Sequence, residues 1–306
     1  VSAGKLCPHA VYQVHGINGE GEIKMGSTYD TLKNQANAVF RGSRENSYKT
    51  RERYEETATR FAKFVGDRYH LNSWKNMQNK HLEDYAKHLQ DAGRSVSHIK
   101  TELSAIRYLA RHIGTKKPLM EARKHNERME IGRRSFRGGE KLWKEHDLRM
   151  IDQAPDRIRD VLILARDLGL RVHEVHRIDT ASARAAVKSD SLHVKGKGGR
   201  ERDVPLRGEA SRVLERVLAI TDGGQKLFVT EGTLTHHAIR EVQDWVYNHR
   251  DPSSHVSIHG LRHGYAQSIY KELRASGVPV HEAKLRVSEL LGHSREEVTD
   301  IYLSSR

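Results

Sequence analysis

The chain has 306 residues, with 53 Lys and Arg against 40 Asp and Glu, a net charge of +13 and an isoelectric point near 9.7. That size allows two ordinary domains, and 30% charged with 36% hydrophobic residues suits a polar globular protein. No apolar run approaches the roughly eighteen residues of a membrane helix, and the single cysteine, Cys7, excludes an internal disulfide or a multi-cysteine zinc site and points to a reducing compartment.

The first 42 residues are glycine-rich early on and carry a helical stretch at 29–40. They read as a mobile arm, a DNA-contacting extension or a packing segment. No basic start followed by an apolar run is visible, so no secretory signal is expected. From residue 47 the pattern becomes helical. Tyr54, Ala58, Phe61, Phe64 and Val65 fall on one face of a first helix. A second helix is expected over 74–90, with Trp74, Met77, Leu82, Tyr85 and Leu89 inward and Gly93 ending it. Ser95 or Ser97 can cap a third, whose buried stripe is Ile99, Leu103, Ile106, Leu109 and Ala110. Residues 41–140 hold 23 Lys and Arg against 13 Asp and Glu, so most of the excess charge lies here. A basic helical domain of this kind suits a polyanion such as duplex DNA, with binding that weakens in salt.

The stretch 131–140 is basic, glycine-bearing and without periodicity, and reads as a linker. Its Arg133, Arg134 and Arg137 are candidate DNA contacts. Beyond it the pattern predicts an apolar helix over 161–168 ending at Gly169. β-Prone runs at 191–195 and 200–205 flank Gly196-Lys197-Gly198-Gly199 as a hairpin. Helices follow at 209–220, 233–250, 260–275 and 281–291. The expected boundaries are an N-terminal extension 1–42, a helical domain 43–130, a linker 131–140 and a second domain 141–306.

The second domain carries a spaced polar set: Gly169-Leu170-Arg171-Val172-His173-Glu174, the Gly-Lys-Gly turn, His259-Gly260-Leu261-Arg262-His263, Leu291-Gly292-His293, and Tyr302 nine positions later. A phosphodiester is anionic and gains negative charge on its non-bridging oxygens as it is displaced. Arg171 and Arg262 can clamp those oxygens with planar, permanently charged forks. Tyr302 is a poor nucleophile at its ordinary pKa of about 10, but cationic surroundings and a nearby base would activate it. His259 or His293 can be that base, and His293 can instead bind the phosphate. A lysine on the hairpin can protonate the departing 5′-oxygen; Lys197 is preferred and Lys195 stays open. The histidines form no His-Glu-x-x-His or Cys/His zinc pattern, so no catalytic metal is expected. His173 and His176 read as flanking Arg171 on a helix facing DNA or solvent. The glycine turn lacks the length and Ser/Thr of an ATP loop, and no Gly-x-Ser-x-Gly elbow is present.

These motifs, in this order, resemble the tyrosine recombinase family, also called the phage integrase family. The resemblance covers the second domain and extends more weakly to the helical domain before it. Thr31-Leu32-Lys33-Asn34-Gln35-Ala36 is loosely similar to integrases of plasmids and integrative elements. The resemblance implies a mainly α fold with a small β-hairpin or sheet. It would be built as a two-domain clamp, a helical core-binding domain plus a catalytic domain. It also implies catalytic positions at Arg171, Lys197, His259, Arg262, His293 and Tyr302, with Glu174 and His263 supporting. The activity implied is site-specific recombination of duplex DNA through a 3′-phosphotyrosyl intermediate, without metal, ATP or other cofactor. A homotetramer on synapsed recombination sites, accessory DNA-bending proteins, no membrane, and a cytoplasmic, nucleoid-associated prokaryotic setting go with it. The segment 270–281 is longer than the common family form, and four residues follow Tyr302, where many relatives have a longer tail. The rival readings are a type IB topoisomerase or telomere resolvase, and a non-catalytic DNA-binding regulator on the same scaffold.

Overall fold

The computed structural model describes residues 25–42, 45, 47–134, 141–196, 199–293 and 296–303. The chain divides into two compact units, Val1–Ser135 and Phe136–Arg306, and the division falls inside the basic stretch 131–140. Cys7 and Arg137 lie outside the described residues, as do Lys197 and Gly198.

The first unit contains α1 (Met25–Gly42), α2 (Tyr48–Tyr69), α3 (Asn79–Asp91), α4 (Val96–Ile113) and α5 (Ala122–Arg128). Its core is made by the stripes read from the sequence. Ala58, Phe61 and Val65 of α2 meet Leu82, Tyr85 and Leu89 of α3 and Ile99, Leu103, Ile106 and Leu109 of α4. Ser95 caps α4, its hydroxyl accepting the His98 N–H at 3.2 Å. Residues 25–42 pack rather than stand apart, because Leu32, Ala36 and Phe40 are buried in that core. The Trp74 indole N–H donates to the Leu32 carbonyl at 2.8 Å and ties α1 down.

The helix expected over 74–90 is instead two pieces. Trp74–Asn76 form a single 3-10 turn, Met77 is extended, and α3 begins two residues later. The break lets Trp74 and Met77 both point inward, and the Gln78 N–H is taken by His81 Nδ1 at 3.1 Å. Glu102, almost fully buried in α4, is balanced by Thr57 and Arg60 of α2 and Tyr85 of α3, with Arg60 Nη2 at 2.7 Å.

The second unit contains α6 (Glu145–Leu148), a 3-10 turn at Arg149–Gln153, α7 (Asp156–Asp167), α8 (Val172–Val175) and α9 (Thr180–Ser189). Strands β1 (Ser191–Lys195) and β2 (Glu201–Pro205) follow, then α10 (Ala210–Ala219), α11 (Thr235–His249), α12 (Ile258–Ala275), α13 (Val280–Leu291) and α14 (Glu296–Leu303). Helix α7 is apolar on most sides, and Ile158, Val161, Leu162, Ile163, Leu164 and Ala165 make it the centre of the unit. Helix α12 packs on α7, α13 and α14. The strands form an antiparallel pair in the register Leu192↔Val204 and Val194↔Arg202. Among the described residues no helix is long and apolar enough to cross a membrane.

Helix α9 was not anticipated. Helix α9 is alanine-rich and starts at Asp179, whose carboxylate accepts the Ser182 N–H at 2.8 Å. His176 differs from its expected solvent-facing place: it is fully buried, with Nδ1 2.8 Å from the Val172 carbonyl oxygen.

Candidate active site

Two glycines set the local frame. Gly169 ends α7 at φ +61°, in the left-handed region, and a Cβ there would run into the Tyr265 ring. Its carbonyl is thereby aimed at Arg262. Gly260 lies in the first turn of α12, where a Cβ would overlap the Lys141 carbonyl oxygen. The segment 141–143 crosses α12 at this point, and the Trp143 indole N–H donates to the Ser257 carbonyl at 2.8 Å. This crossing fixes the start of α12, which carries His259, Arg262 and His263.

Arg262 is fully buried. Its Nη1 donates to the Gly169 carbonyl at 2.5 Å, and Nη2 donates to the Leu291 carbonyl and lies 3.4 Å from His293 Nε2. Burial, then the positive charge of Arg171, pull the guanidinium down to about 10, still cationic at neutral pH. Among the described residues its buried Nε has no hydrogen-bond partner.

Arg171 precedes α8 and Glu174 lies within it, so the carboxylate folds back on the arginine. Glu174 Oε2 accepts the Arg171 backbone N–H and Oε1 accepts Arg171 Nη1, both at 2.9 Å. A second guanidinium, Arg202 of β2, donates Nη1 to Oε1 at 3.2 Å and Nη2 to Oε2 at 2.8 Å. Burial alone would raise the Glu174 pKa; the hydrogen bond and charge of Arg202, with Arg171 and Arg262, outweigh it and hold the carboxylate at about 2.

Tyr302 sits on α14 with its ring buried beside Tyr265, Ala266, Ile269, Val287 and Leu291. Its backbone carbonyl accepts Gln267 Nε2 at 3.3 Å. The phenol oxygen lies 2.8 Å from His259 Nε2. The His263 ring stacks on the tyrosine ring, centroids 4.1 Å apart and planes 14° apart, and the His293 ring lies 4.7 Å away. The Arg262 guanidinium carbon stands 5.9 Å from the same ring centre. His293 Nδ1 is 3.1 Å from the hydroxyl of Thr299, a fully buried residue. Burial, reinforced by the charge of Arg262 and Arg171, lowers His259 to about 4 and His293 to about 3. Burial lowers His263 to about 4. All three are neutral at pH 7.

The structure therefore brings Arg171, Glu174, His259, Arg262, His263, His293 and Tyr302 into one cluster. Lys197 lies outside the described residues. Lys195, left open as its alternative, pairs with Glu201 at 3.6 Å on an exposed strand position. Arg133 and Arg134 are exposed chain between the units' elements and belong to no such cluster. Among the described residues no group of three or more His, Cys, Asp or Glu side chains could hold a metal ion.

Sequence reasoning missed Arg202 and Thr299. Arg202 had a readable signal: it alternates with Val204 on β2 and faces Val194, so a charged residue occupies the inward face of a strand. Thr299 lies six residues after His293 and had no comparable mark.

The cluster can bind an anion, through Arg171 and Arg262, beside a phenol paired to a neutral imidazole. Residues 140–306 match the sequence profile described as the Phage integrase family, and residues 34–117 match its N-terminal SAM-like domain. The chain is 33% identical over 143 residues to tyrosine recombinase XerC of Neisseria gonorrhoeae, covering 44% of this chain and 42% of that one. It is 31% identical over 188 residues to tyrosine recombinase XerC of Actinobacillus pleuropneumoniae, covering 56% and 58%. Those matches span about half the length of each relative. Among solved structures, a lambda integrase tetramer bound to a Holliday junction has a TM-score of 0.65 at 17% identity, covering 90% of this chain and 77% of that one. The integrase of transposon Tn1549 in complex with circular intermediate DNA has a TM-score of 0.60 at 13% identity, covering 90% and 95%. These likenesses show a shared fold. With the profile spanning more than half of its residues, the chain belongs to the phage integrase family.

Proposed function

We propose that this protein is a site-specific DNA recombinase that cuts and rejoins duplex DNA through a tyrosyl ester. The observation that carries this reading is the 2.8 Å contact between the Tyr302 phenol and His259 Nε2, inside a cluster that also holds Arg262 and His293. Tyr302 Oη attacks the scissile phosphorus as its proton passes to neutral His259. The bond from phosphorus to the 5′-oxygen breaks, and that oxygen takes a proton from Lys197. The products are a 3′-phosphotyrosyl ester and a free 5′-hydroxyl. Attack by a partner strand's 5′-hydroxyl reverses the steps, so the ester conserves the bond and no ATP is consumed. Arg171 and Arg262 hold the non-bridging oxygens, where negative charge grows. His293 hydrogen-bonds the phosphate, and Glu174 and His263 keep Arg171 and Tyr302 in place.

The helical unit is proposed as the core-binding domain. In support, a groove of about 900 Å³ within it is lined by Arg53, Lys63 and Arg94, beside Arg60 paired with Glu102 and the carboxylates of Glu56 and Asp67. Arg133, Arg134 and Arg137 would follow the DNA backbone. The finer proposals are a homotetramer on two synapsed recombination sites, accessory DNA-bending proteins, service to a mobile element, and work at the nucleoid of a prokaryotic cytoplasm.

The test recovers the site and the chemistry together. The full chain is incubated with a pool of nicked duplexes carrying a randomised central sequence, then denatured, and protein-linked DNA is amplified and sequenced. A recurring sequence joined to the native chain, and not to Tyr302→Phe, is expected. No denaturation-stable adduct from any pool, or an adduct that persists in Tyr302→Phe, would overturn the proposal.

A further inference from the structure

Glu174 is fully saturated as an acceptor. A carboxylate offers about four lone-pair positions, and all are used: Oε1 takes Arg171 Nη1 and Arg202 Nη1, and Oε2 takes the Arg171 backbone N–H and Arg202 Nη2. Arg202 engages all three of its nitrogens, Nη1 and Nη2 on Glu174 and Nε elsewhere. Its Nε donates to the Leu290 carbonyl at 2.8 Å, and its side chain is only 6% exposed. Two of its five N–H groups remain, one on each terminal nitrogen of a nearly buried side chain.

Arg171 and Arg262 are less committed to that carboxylate, although Arg262 is fully buried and its Nη1 and Nη2 already donate to the Gly169 and Leu291 carbonyls. Arg171 commits one guanidinium nitrogen to Glu174, and its side chain is 21% exposed. Arg262 Nη1 stops 3.8 Å from Glu174 Oε2, beyond hydrogen-bonding distance, and its Nε is buried without a partner among the described residues. A bidentate arginine–carboxylate pair is among the strongest polar contacts in proteins. If the two acceptor positions held by Arg202 came free, the nearest guanidinium groups, those of Arg171 and Arg262, would close on them.

We propose that Arg202 is a positioning residue for the cleavage reaction: by filling both oxygens of Glu174 it keeps Arg171 and Arg262 from closing on that carboxylate, leaving their remaining N–H groups for the scissile phosphate. This rests on the recombinase reading above. The bond to Leu290 adds a second function to the same side chain, since it ties β2 to the end of α13, just before His293. Gly292 belongs to this arrangement, because a Cβ there would stand 3.2 Å from Arg202 Cδ.

The experiment uses the full chain and the duplex recovered by the selection above, with the scissile linkage as either a phosphodiester or a methylphosphonate. The methylphosphonate is uncharged and makes a smaller demand on guanidinium groups. Arg202→Met is expected to cleave the phosphodiester about a hundredfold more slowly than the native chain, the size of effect seen when a transition-state donor is lost. On the methylphosphonate that deficit shrinks, because less charge has to be met. Arg202→Lys, with one compact charge and no fork, shows the same pattern more weakly. Thermal melts identify which variants fold. An equal deficit on both linkages would reduce Arg202 to a structural residue, and no deficit, or failure of both variants to fold, would equally overturn the proposal. Native chain that cleaves neither linkage removes the recombinase reading itself. Native cleavage with equal variant deficits removes only the role of Arg202.

Discussion

Tyr302 Oη and His259 Nε2 lie 2.8 Å apart although 43 positions separate them in the chain. His259 is held at about 4 by burial and by neighbouring positive charge, so at neutral pH its free nitrogen can accept the phenol proton. Replacing His259 by Phe keeps a ring of similar bulk and removes the acceptor. Single-turnover cleavage of the nicked duplex is expected to slow about a hundredfold, with DNA binding retained. A variant that cleaves at the native rate would take His259 out of the proton path.

Glu174 has no exposed side-chain surface and is the counter-charge for the buried Arg202. Glu174→Ala strands that guanidinium, so the chain is expected to lose about 3 kcal/mol of stability. The check is a denaturant melt, in which the midpoint falls. Glu174→Gln, which keeps an oxygen for the Arg171 backbone N–H, is expected to lose less.

Stability of the catalytic unit is predicted to fall as the solution is acidified from pH 7. An unfolded histidine titrates near pH 6.5 (roughly), whereas folded His259 and His263 titrate at about 4 and His293 at about 3. Between those values the unfolded chain binds more protons than the folded one, so stability rises with pH there. It is fully present above the unfolded value and is lost progressively towards the folded ones. Glu174, at about 2 when folded against 4.5 for a free glutamate, adds a further loss between those values, overlapping the lower part of the histidine window. Denaturant midpoints across this window, compared with those of His263→Phe, test the point: the variant's slope is expected to be shallower.

Gly260→Ala is predicted to be far more harmful than alanine in an ordinary helix, where it would help. Its Cβ would overlap the Lys141 carbonyl oxygen, which is backbone and cannot swing aside. The expected cost is about 3 kcal/mol, at the upper end for overpacking. Gly264→Ala, four residues on, meets only a Leu142 methyl at 3.8 Å and serves as the control. Equal melting temperatures for the two variants would contradict the crossing of 141–143 over α12.

Much of this was legible beforehand because the relevant residues obey simple periods. The stripes of α2, α3 and α4 were read from helical spacing and are buried together. The hairpin strands were read from β-prone runs around a glycine turn and pair in one register. Arg171, Glu174, Arg262, His293 and Tyr302 were picked out by their motif types, and they meet. What escaped depends on contacts distant in sequence. The break at Met77 follows from the Trp74 indole reaching Leu32 across to another helix. The burial of His176 follows from packing that no local period announces. The partner of Glu174 on the neighbouring strand needed the strand's inward face to be known first.

Helix α14 delivers Tyr302 to the histidines and arginines of its own chain, held there by Gln267 and by the apolar bed of α12 and α13. On the proposed recombinase reading, each protomer would carry its nucleophile and its phosphate-binding groups as one covalent unit, at an effective concentration that dilution cannot lower. Two differently damaged protomers, one lacking the phenol and one lacking the Arg262 guanidinium, would not repair each other in a mixed assembly. On that reading breakage of a strand would be the act of one protomer, and only the exchange of ends would call for company.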